Sequence, residues 1–496
     1  MRKELLVNAA PPETRVALTE DGRVVEVLHE RRGRQGLVGN VYLGRVHRVL
    51  PGMQAAFVSI GLERDAFLYV EDAAASPEFD FGEDEAEKEP GAAPSPASRA
   101  RIDDLVKEGQ EIVVQVRKDP LGAKGPRVTS AISLPGRNLV FLPGSREIGV
   151  SRRLADDADR DRLREILQGL SADGGFIART AAARKTAAEL EPDRQYLTAL
   201  AARIARRRES AAPPALLHRE LDLPLRALRD LVGDDVDAIR VDDPATRDRI
   251  VEFLESVASP LARRVELYDD GAPLFERFGV EAEIENGLRS RVALPSGGSI
   301  VIHQTEALVA IDVNTGRYVG REDLEETVFA ANMEAAPEIA RQIRLRDLGG
   351  LLVVDFIDME DLDHRKTLFE AFEAELARDR SRTRVLQISE FGLIEITRQR
   401  SRGNLERVLT RSCPCCSGAG RVKTDLTVAL DLRRALLAPP NLFTPGETVR
   451  VRVRPGVARV LGEEGVLADA ERALGVRVEP VEDPALREKN FEIERG

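Results

Sequence analysis

The chain has 496 residues, which suggests roughly three to five domains, and its 43% hydrophobic content excludes wholesale disorder. Basic side chains number 73 against 85 acidic ones; the net charge of −12 excludes a simple polybasic nucleic-acid binder but leaves room for local basic grooves. With no Trp and 4% aromatics, base stacking rests on a few Phe or Tyr, and three Cys cannot build a disulfide framework.

The N-terminal MRKELLVNAA has no apolar stretch long enough for a signal peptide. No run approaches the roughly 20 apolar residues of a membrane helix, so a soluble cytoplasmic protein is expected. Arg15–Glu30 predicts a hairpin around Asp21-Gly22. Short strands follow at Val41–Val49, Ala55–Ile60 and Ala66–Val70, then at Glu111–Lys118 and Val128–Ser133, a spacing that suggests a small barrel. Ala73–Ser98 interrupts them with seven acids and one Lys, and reads as a disordered insertion. Strands are expected at Leu139–Leu142 and Gly174–Thr180 around a helix near Asp157–Leu170, and a second helix over Pro192–Glu209.

Further on, Arg291–Leu294, Ser299–Ile302 and Ala307–Val313 read as successive strands, and Glu322–Arg346 as the clearest helix. Leu351–Ile357 is a continuous apolar run, the mark of a strand buried on both faces. Strand, helix, strand predicts an α/β sandwich. The tail repeats the idea with strands at Val449–Val453 and Val476–Pro480 around a helix over Val457–Leu474.

Within LVAIDVNTG and LLVVDFIDM, Asp312 and Asp355 sit in or at the end of apolar strands, where an ionised carboxylate is costly unless something positive neutralises it. One such Asp reads as a helix cap or a partner for Arg. Two, with Asn314 on the same strand face, point to a shared hard cation such as Mg²⁺. Asp358 competes with Asp355 for the role. Phe57 and Phe67 fit either a base-stacking face or the barrel core, with Lys118, Lys124 and Arg127 near enough for phosphates. Arg179 beside Thr180 suits a terminal phosphate or an ordinary surface position. Cys413 and Cys416 form half of a zinc site; a second copy of the chain supplies the other half, or the thiols are redox-active or idle.

In this order, ELLVN, GNVYLGRV with LPGMQAAFVSIG, VQVRKDPLGAKG, GGFIARTAA, LPSGGSIVI, TEALVAIDVNTGRYVG, ANMEAAPEIARQIRLRDLGGLLVVDFIDM and the CPxC knuckle resemble the bacterial ribonuclease E/G family over nearly the whole chain. A length of 496 residues fits the G-type members, without the long scaffold tail of the E-type. The resemblance implies an α/β multidomain fold. Residues 1–36 with 225–285 would form an RNase H-like part, and 37–130 an S1 (OB-type) barrel carrying the acidic insertion 73–98. A 5′-sensor region would span 131–224, a DNase I-like catalytic domain 286–409, a zinc-link 410–424 and a small α/β domain 425–496.

It further implies an Mg²⁺-dependent endoribonuclease acting on single-stranded RNA in RNA processing and decay, including rRNA maturation. Such an enzyme favours 5′-monophosphorylated ends and leaves a 5′-phosphate. By motif position, Asp312 and Asp355 correspond to Mg²⁺ ligands and Asn314 to the residue orienting them. Phe57, Phe67, Lys118, Lys124 and Arg382 correspond to RNA contacts, and Gly136, Val140, Arg179 and Thr180 to the 5′-phosphate site. Cys413 and Cys416 correspond to a Zn²⁺ site shared by two subunits, giving a homodimer or a pair of dimers.

Three features depart from the pattern. Cys415 lies between the usual cysteines, His303 stands where the family commonly shows Asp, and the acidic insertion is longer than a barrel loop needs. A non-catalytic S1-type RNA-binding or ribosome-associated factor, and a thiol oxidoreductase, are the rival readings.

Overall fold

Alternating apolar strands build the first sheet. In the computed structural model, Lys3–Ala10, Glu13–Glu20 and Arg23–Arg31 form an antiparallel meander, and Ala238–Val241 and Val265–Leu267 add in parallel beside the first strand. The structure describes all residues except 1, 32–35, 75–99, 121–123, 152–153, 155, 171–173, 234, 316–323, 387–388, 390–391, 400–403, 417, 419, 439–442, 464, 485, 487–490 and 496. Nearly all of the acidic insertion thus lies outside the described residues. Asp21 and Gly22 both take positive φ, as the hairpin's Asp-Gly requires. Helices Leu223–Leu231 and Pro244–Ser256 cover the sheet. Asp222 and Asp243 cap them by accepting from the N–H groups of Leu225 and Thr246.

The second sheet closes on itself. Val41–Leu50, Ala55–Ser59, Ala66–Tyr69, Arg127–Thr129 and Glu111–Lys118 pair in that order, and the last returns to the first to make a five-stranded barrel. Val46, Ala56, Val58, Ala66, Leu68, Val116 and Val128 fill it. Gly44 permits closure, because a Cβ there would stand 2.6 Å from Val58 and 2.9 Å from the Ser59 carbonyl oxygen.

A third, four-stranded sheet joins Ile148–Val150, Gly175–Ala178, Leu139–Leu142 and Leu134–Pro135 and packs on helices Asp157–Leu170 and Ala187–Ser210. The second helix starts five residues before the expected Pro192. Thr186 and Glu189 form a capping box, and the helix continues through the proline.

The fourth sheet has six strands, ordered Arg291–Ala293, Ser299–Gln304, Leu308–Asn314, Gly350–Asp355, Leu393–Arg398 and Thr383–Val385. Helices Leu324–Leu345 and Leu362–Leu376 cover one face. The strand expected to be buried on both sides is buried on one: Leu352 and Val354 enter the core, while Leu351 is 39% exposed. The opposite face of the sheet is open.

Charged groups join the first sheet to the helix Leu324–Leu345. Arg344 donates to Glu20 and lies 3.6 Å from Glu26, Arg380 donates to Glu26, and Glu338 receives Arg23, Arg341 and Gln342. Burial works against the charges of Glu338 and Glu20, yet Arg341 and Arg344 hold their carboxyls below the usual glutamate range. Their stabilisation is therefore complete above that range and is lost as pH falls through the lowered values.

Residues Leu409–Gly496 form a separate compact unit. Thr448–Val453 pairs in parallel with Arg477–Glu482 and antiparallel with Phe491–Arg495, a strand the sequence reading did not anticipate. The single helix expected over Val457–Leu474 is two, Pro455–Glu463 and Ala468–Leu474, with Gly465 at positive φ between them. Among the described residues no helix is long and apolar enough to cross a membrane.

Removing Glu338 leaves the buried Arg341 short of a partner. Glu338→Ala is expected to cost roughly 3 kcal/mol in urea unfolding at neutral pH, and less as pH falls below the glutamate range. An unchanged midpoint would show that the junction does not rest on these charges.

Candidate functional site

On the open face of the fourth sheet, Asp312 and Asp355 stand directly opposite each other on adjacent parallel strands. That spacing places their Cα atoms about 5 Å apart. Both are exposed, and among the described residues neither makes an ion pair with an Arg, Lys or His, nor caps a helix. Asn314 lies two residues along on the same face, and its Nδ2 donates to Asp312 Oδ2 at 2.7 Å. Burial first, and then the charges of Asp312 and Asp358, push the Asp355 carboxyl above the usual range. Asp358 therefore lies within electrostatic reach, three residues past the strand end.

The chain holds this arrangement through a side chain the sequence reading missed. Asn332, fully buried on the covering helix, accepts from the N–H of Ile357 at 3.0 Å and donates to its carbonyl at 2.8 Å. A buried amide satisfied on both sides fixes the segment leaving Asp355. An Asn amid helical apolar spacing was the available signal.

The donor set suits a hard divalent cation. Among the described residues two carboxylates and an amide face solvent with no paired cation, and such an ion keeps several waters. Among the described residues there is no cluster of three or more His, Cys, Asp or Glu that could hold a metal, so around such an ion water or a bound ligand would complete the shell.

On the barrel, one register row runs Arg48, Phe57, Phe67, Arg127, Lys118 across successive strands. Phe57 and Phe67 alternate with the core residues Ala56, Val58, Ala66 and Leu68, so they lie outside the core. Their rings meet edge to face at 4.9 Å, Tyr69 joins Phe67 at 4.8 Å, and Arg127 stacks over Tyr69 at 4.7 Å. Lys124 is exposed. Arg48 and Tyr69 were not singled out from sequence; a register shift between Val46 and Arg48 turns Arg48 outward, and Tyr69 follows the core residue Leu68.

The third group is partly assembled. Arg179 Nη1 donates to the Gly136 carbonyl at 2.5 Å and its Nη2 to Asp230 at 2.9 Å, while Thr180 shares a hydroxyl contact with Ser151. A Cβ at Gly136 would meet Asp193 at 2.6 Å. Val140 is fully buried, main chain included, in the strand between Leu134–Pro135 and Gly175–Ala178. Burial opposes the charge of Asp230, but Arg229 and Arg179 hold it ionised far below the usual range. Arg380 donates to the Asp230 carbonyl, which puts the 380–382 segment beside this group. Thr383 pairs with Arg398, and Arg398 with Gly350, five residues down the strand from Asp355. Arg382, one residue further and two strands over, is thus roughly 20 Å from the acid pair.

In the C-terminal unit, N–H groups of Cys415 and Cys416 aimed at Cys413 pull its thiol below the usual range. Cys413 and Cys415 are exposed, and Cys416 is half-buried.

A carboxylate pair on an open sheet face, in a chain whose barrel presents aromatic and basic side chains outward, marks an enzyme that works on nucleic acid. The chain belongs to the ribonuclease E/G family: a profile of the Ribonuclease E/G family matches residues 133–401. It is 41% identical to Ribonuclease G of Escherichia coli over 99% of both chains, and 40% identical to Ribonuclease G of Haemophilus influenzae over the same share. It is also 38% identical to Ribonuclease E of Escherichia coli over 88% of this chain and 40% of that one.

The like-charged pair yields a test in the metal-free protein. A raised carboxyl pKa lowers stability as pH rises through it, so Asp355→Asn is expected to unfold at a higher temperature than the parent at neutral pH. The gain should vanish below the ordinary Asp value of about 3.9. An equal or lower midpoint at neutral pH would show that the two carboxylates do not repel.

Proposed function

We propose that this protein is an endoribonuclease of RNA processing and decay that hydrolyses single-stranded RNA with Mg²⁺ and leaves a 5′-phosphate. The in-register Asp312 and Asp355 carry the proposal, supported by full-length likeness to proteins named Ribonuclease G. Asp312 and Asp355 would hold the ion, which when bound neutralises charge on the scissile phosphate and favours attack by water. Asn314 fixes the Asp312 carboxylate through its 2.7 Å bond, so the pair is oriented before substrate arrives. The Phe57–Phe67 row stacks bases, and Lys118 and Lys124 take phosphates, which positions the strand.

The Gly136, Val140, Arg179 and Thr180 group, with Arg382 alongside, would bind a 5′-monophosphate. There Arg179 exchanges or shares its Asp230 bond, and binding at this second point raises effective affinity. The first sheet fits an RNase H-like domain, the barrel an S1 domain and the six-stranded sheet a DNase I-like domain. Cys413 and Cys416 supply two thiolates of a four-ligand zinc site, so two subunits would share one Zn²⁺ in a homodimer.

Asp355→Asn is expected to abolish cleavage of a 5′-monophosphorylated RNA in Mg²⁺ while RNA affinity stays within about threefold, since the barrel contacts remain. Undiminished cleavage would remove Asp355 from catalysis. No cleavage by the parent protein would favour the non-catalytic RNA-binding reading. Metal analysis of the purified protein should give about one zinc per two chains; one per chain, or a zinc-free dimer, would contradict the shared site.

A further inference from the structure

The open face of the six-stranded sheet is electrically lopsided about the acid pair. Arg291, on the edge strand, lies in the same register row as Val301, Asp312 and Asp355 and points to the same face. It stands two strand spacings from Asp312, about 10 Å. Its Nε and Nη2 donate at 3.1 and 3.0 Å to Ser299 Oγ, and Ser299 is the direct cross-strand neighbour of Asn314. The guanidinium is thus held by a neutral hydroxyl beside the residue that orients Asp312. His303, exposed on the same face, pairs with Ala310 two residues before Asp312, and Arg289 precedes Arg291 by two. Among the described residues, none of Arg289, Arg291 and His303 makes an ion pair.

On the other flank the face carries Glu395, opposite Val353, Asp358 beyond the strand end, and Arg384, opposite Thr397 and already engaged by a partner. Arg289 and Arg291 also line a cavity of about 640 Å³, whose other arginines, Arg23 and Arg341, are already bound to Glu338 and Glu283. The cavity also holds Glu283, Glu338 and Glu334, the last accepting from the Ser296 N–H, so among the described residues Arg289 and Arg291 are its arginines without an ion pair.

We infer that Arg291, with Arg289 beside it, is a subsite for the substrate phosphate next to the scissile one. One arm of the RNA strand then leaves the acid pair over the Arg291–Ala293 edge, opposite the flank that carries Arg382. This rests on the endoribonuclease reading above. An arginine already held by one hydroxyl keeps further N–H donors for a phosphate oxygen. Arg291 is a positioning residue: it sets the path of the strand and holds no reacting atom.

The test uses the full-length protein. Affinity for a short single-stranded RNA is measured against salt in an Asp355→Asn background, and cleavage of the same RNA in the parent background, for Arg291→Gln, Arg289→Gln and Arg291→Lys. Arg291→Gln is expected to weaken binding roughly five- to tenfold and to reduce the slope of log affinity against log salt by about one. The loss in kcat/KM should fall mostly in KM, and Arg291→Lys should recover most of it. Arg289→Gln should act in the same direction and more weakly. Affinity and salt slope unchanged in both Gln variants, with Asp355→Asn inactive, would overturn the subsite alone. Active Asp355→Asn would remove the endoribonuclease reading on which it rests.

Discussion

Two ionised carboxylates held in register on neighbouring parallel strands repel each other, and the chain supplies no cation among its described residues to relieve them. Ordinary surface acids avoid such a cost by turning into solvent or pairing with one of the many arginines. Here the strands leave little choice. Val309, Ile311 and Val313 on one strand, and Leu352 and Val354 on the other, must enter the core, and period two then sends Asp312 and Asp355 to the open face together. The packing of one side of the sheet dictates the electrostatics of the other.

The rest of the 1–408 unit is arranged to keep that face defined. Asn332 ties the covering helix to the main chain just past Asp355. The same helix is anchored at its far end to the first sheet by Arg341, Arg344 and their glutamates. A run of buried side chains and satisfied charges therefore joins the two sheets through one element. The Arg179 group is linked in a similar way to the helix Leu223–Leu231 that covers the first sheet, through Asp230 and Arg229 and on to Glu220. Both devices place polar groups in sites where loss of one partner strands another, which favours a single geometry.

Much of this was legible in the sequence because it is local. The Asp21-Gly22 turn, the barrel strands and the Leu324–Leu345 helix all follow from turn chemistry and periodicity. The acid pair was visible as two carboxylates in apolar strands. What was not legible depends on register. Leu351–Ile357 reads as doubly buried because its composition hides which face is open, and the structure exposes Leu351. Arg48 and Arg291 gain their places only from the residues opposite them, Phe57 and Val301. Phe57 and Phe67 were ambiguous between core and surface until Ala56, Val58 and Leu68 took the interior. Pro192 marked a helix start by the usual rule, but the capping box at Thr186 and Glu189 governs instead.

The central claim is that Asp312 and Asp355 together bind one divalent ion. The most direct measurement is titration of the zinc-loaded protein with Mn²⁺, followed by electron paramagnetic resonance, in the parent and in Asp312→Ala. The account predicts about one Mn²⁺ bound per chain, displaced by excess Mg²⁺, and loss of that binding in the variant. Mn²⁺ binding of equal stoichiometry and strength in Asp312→Ala would contradict it.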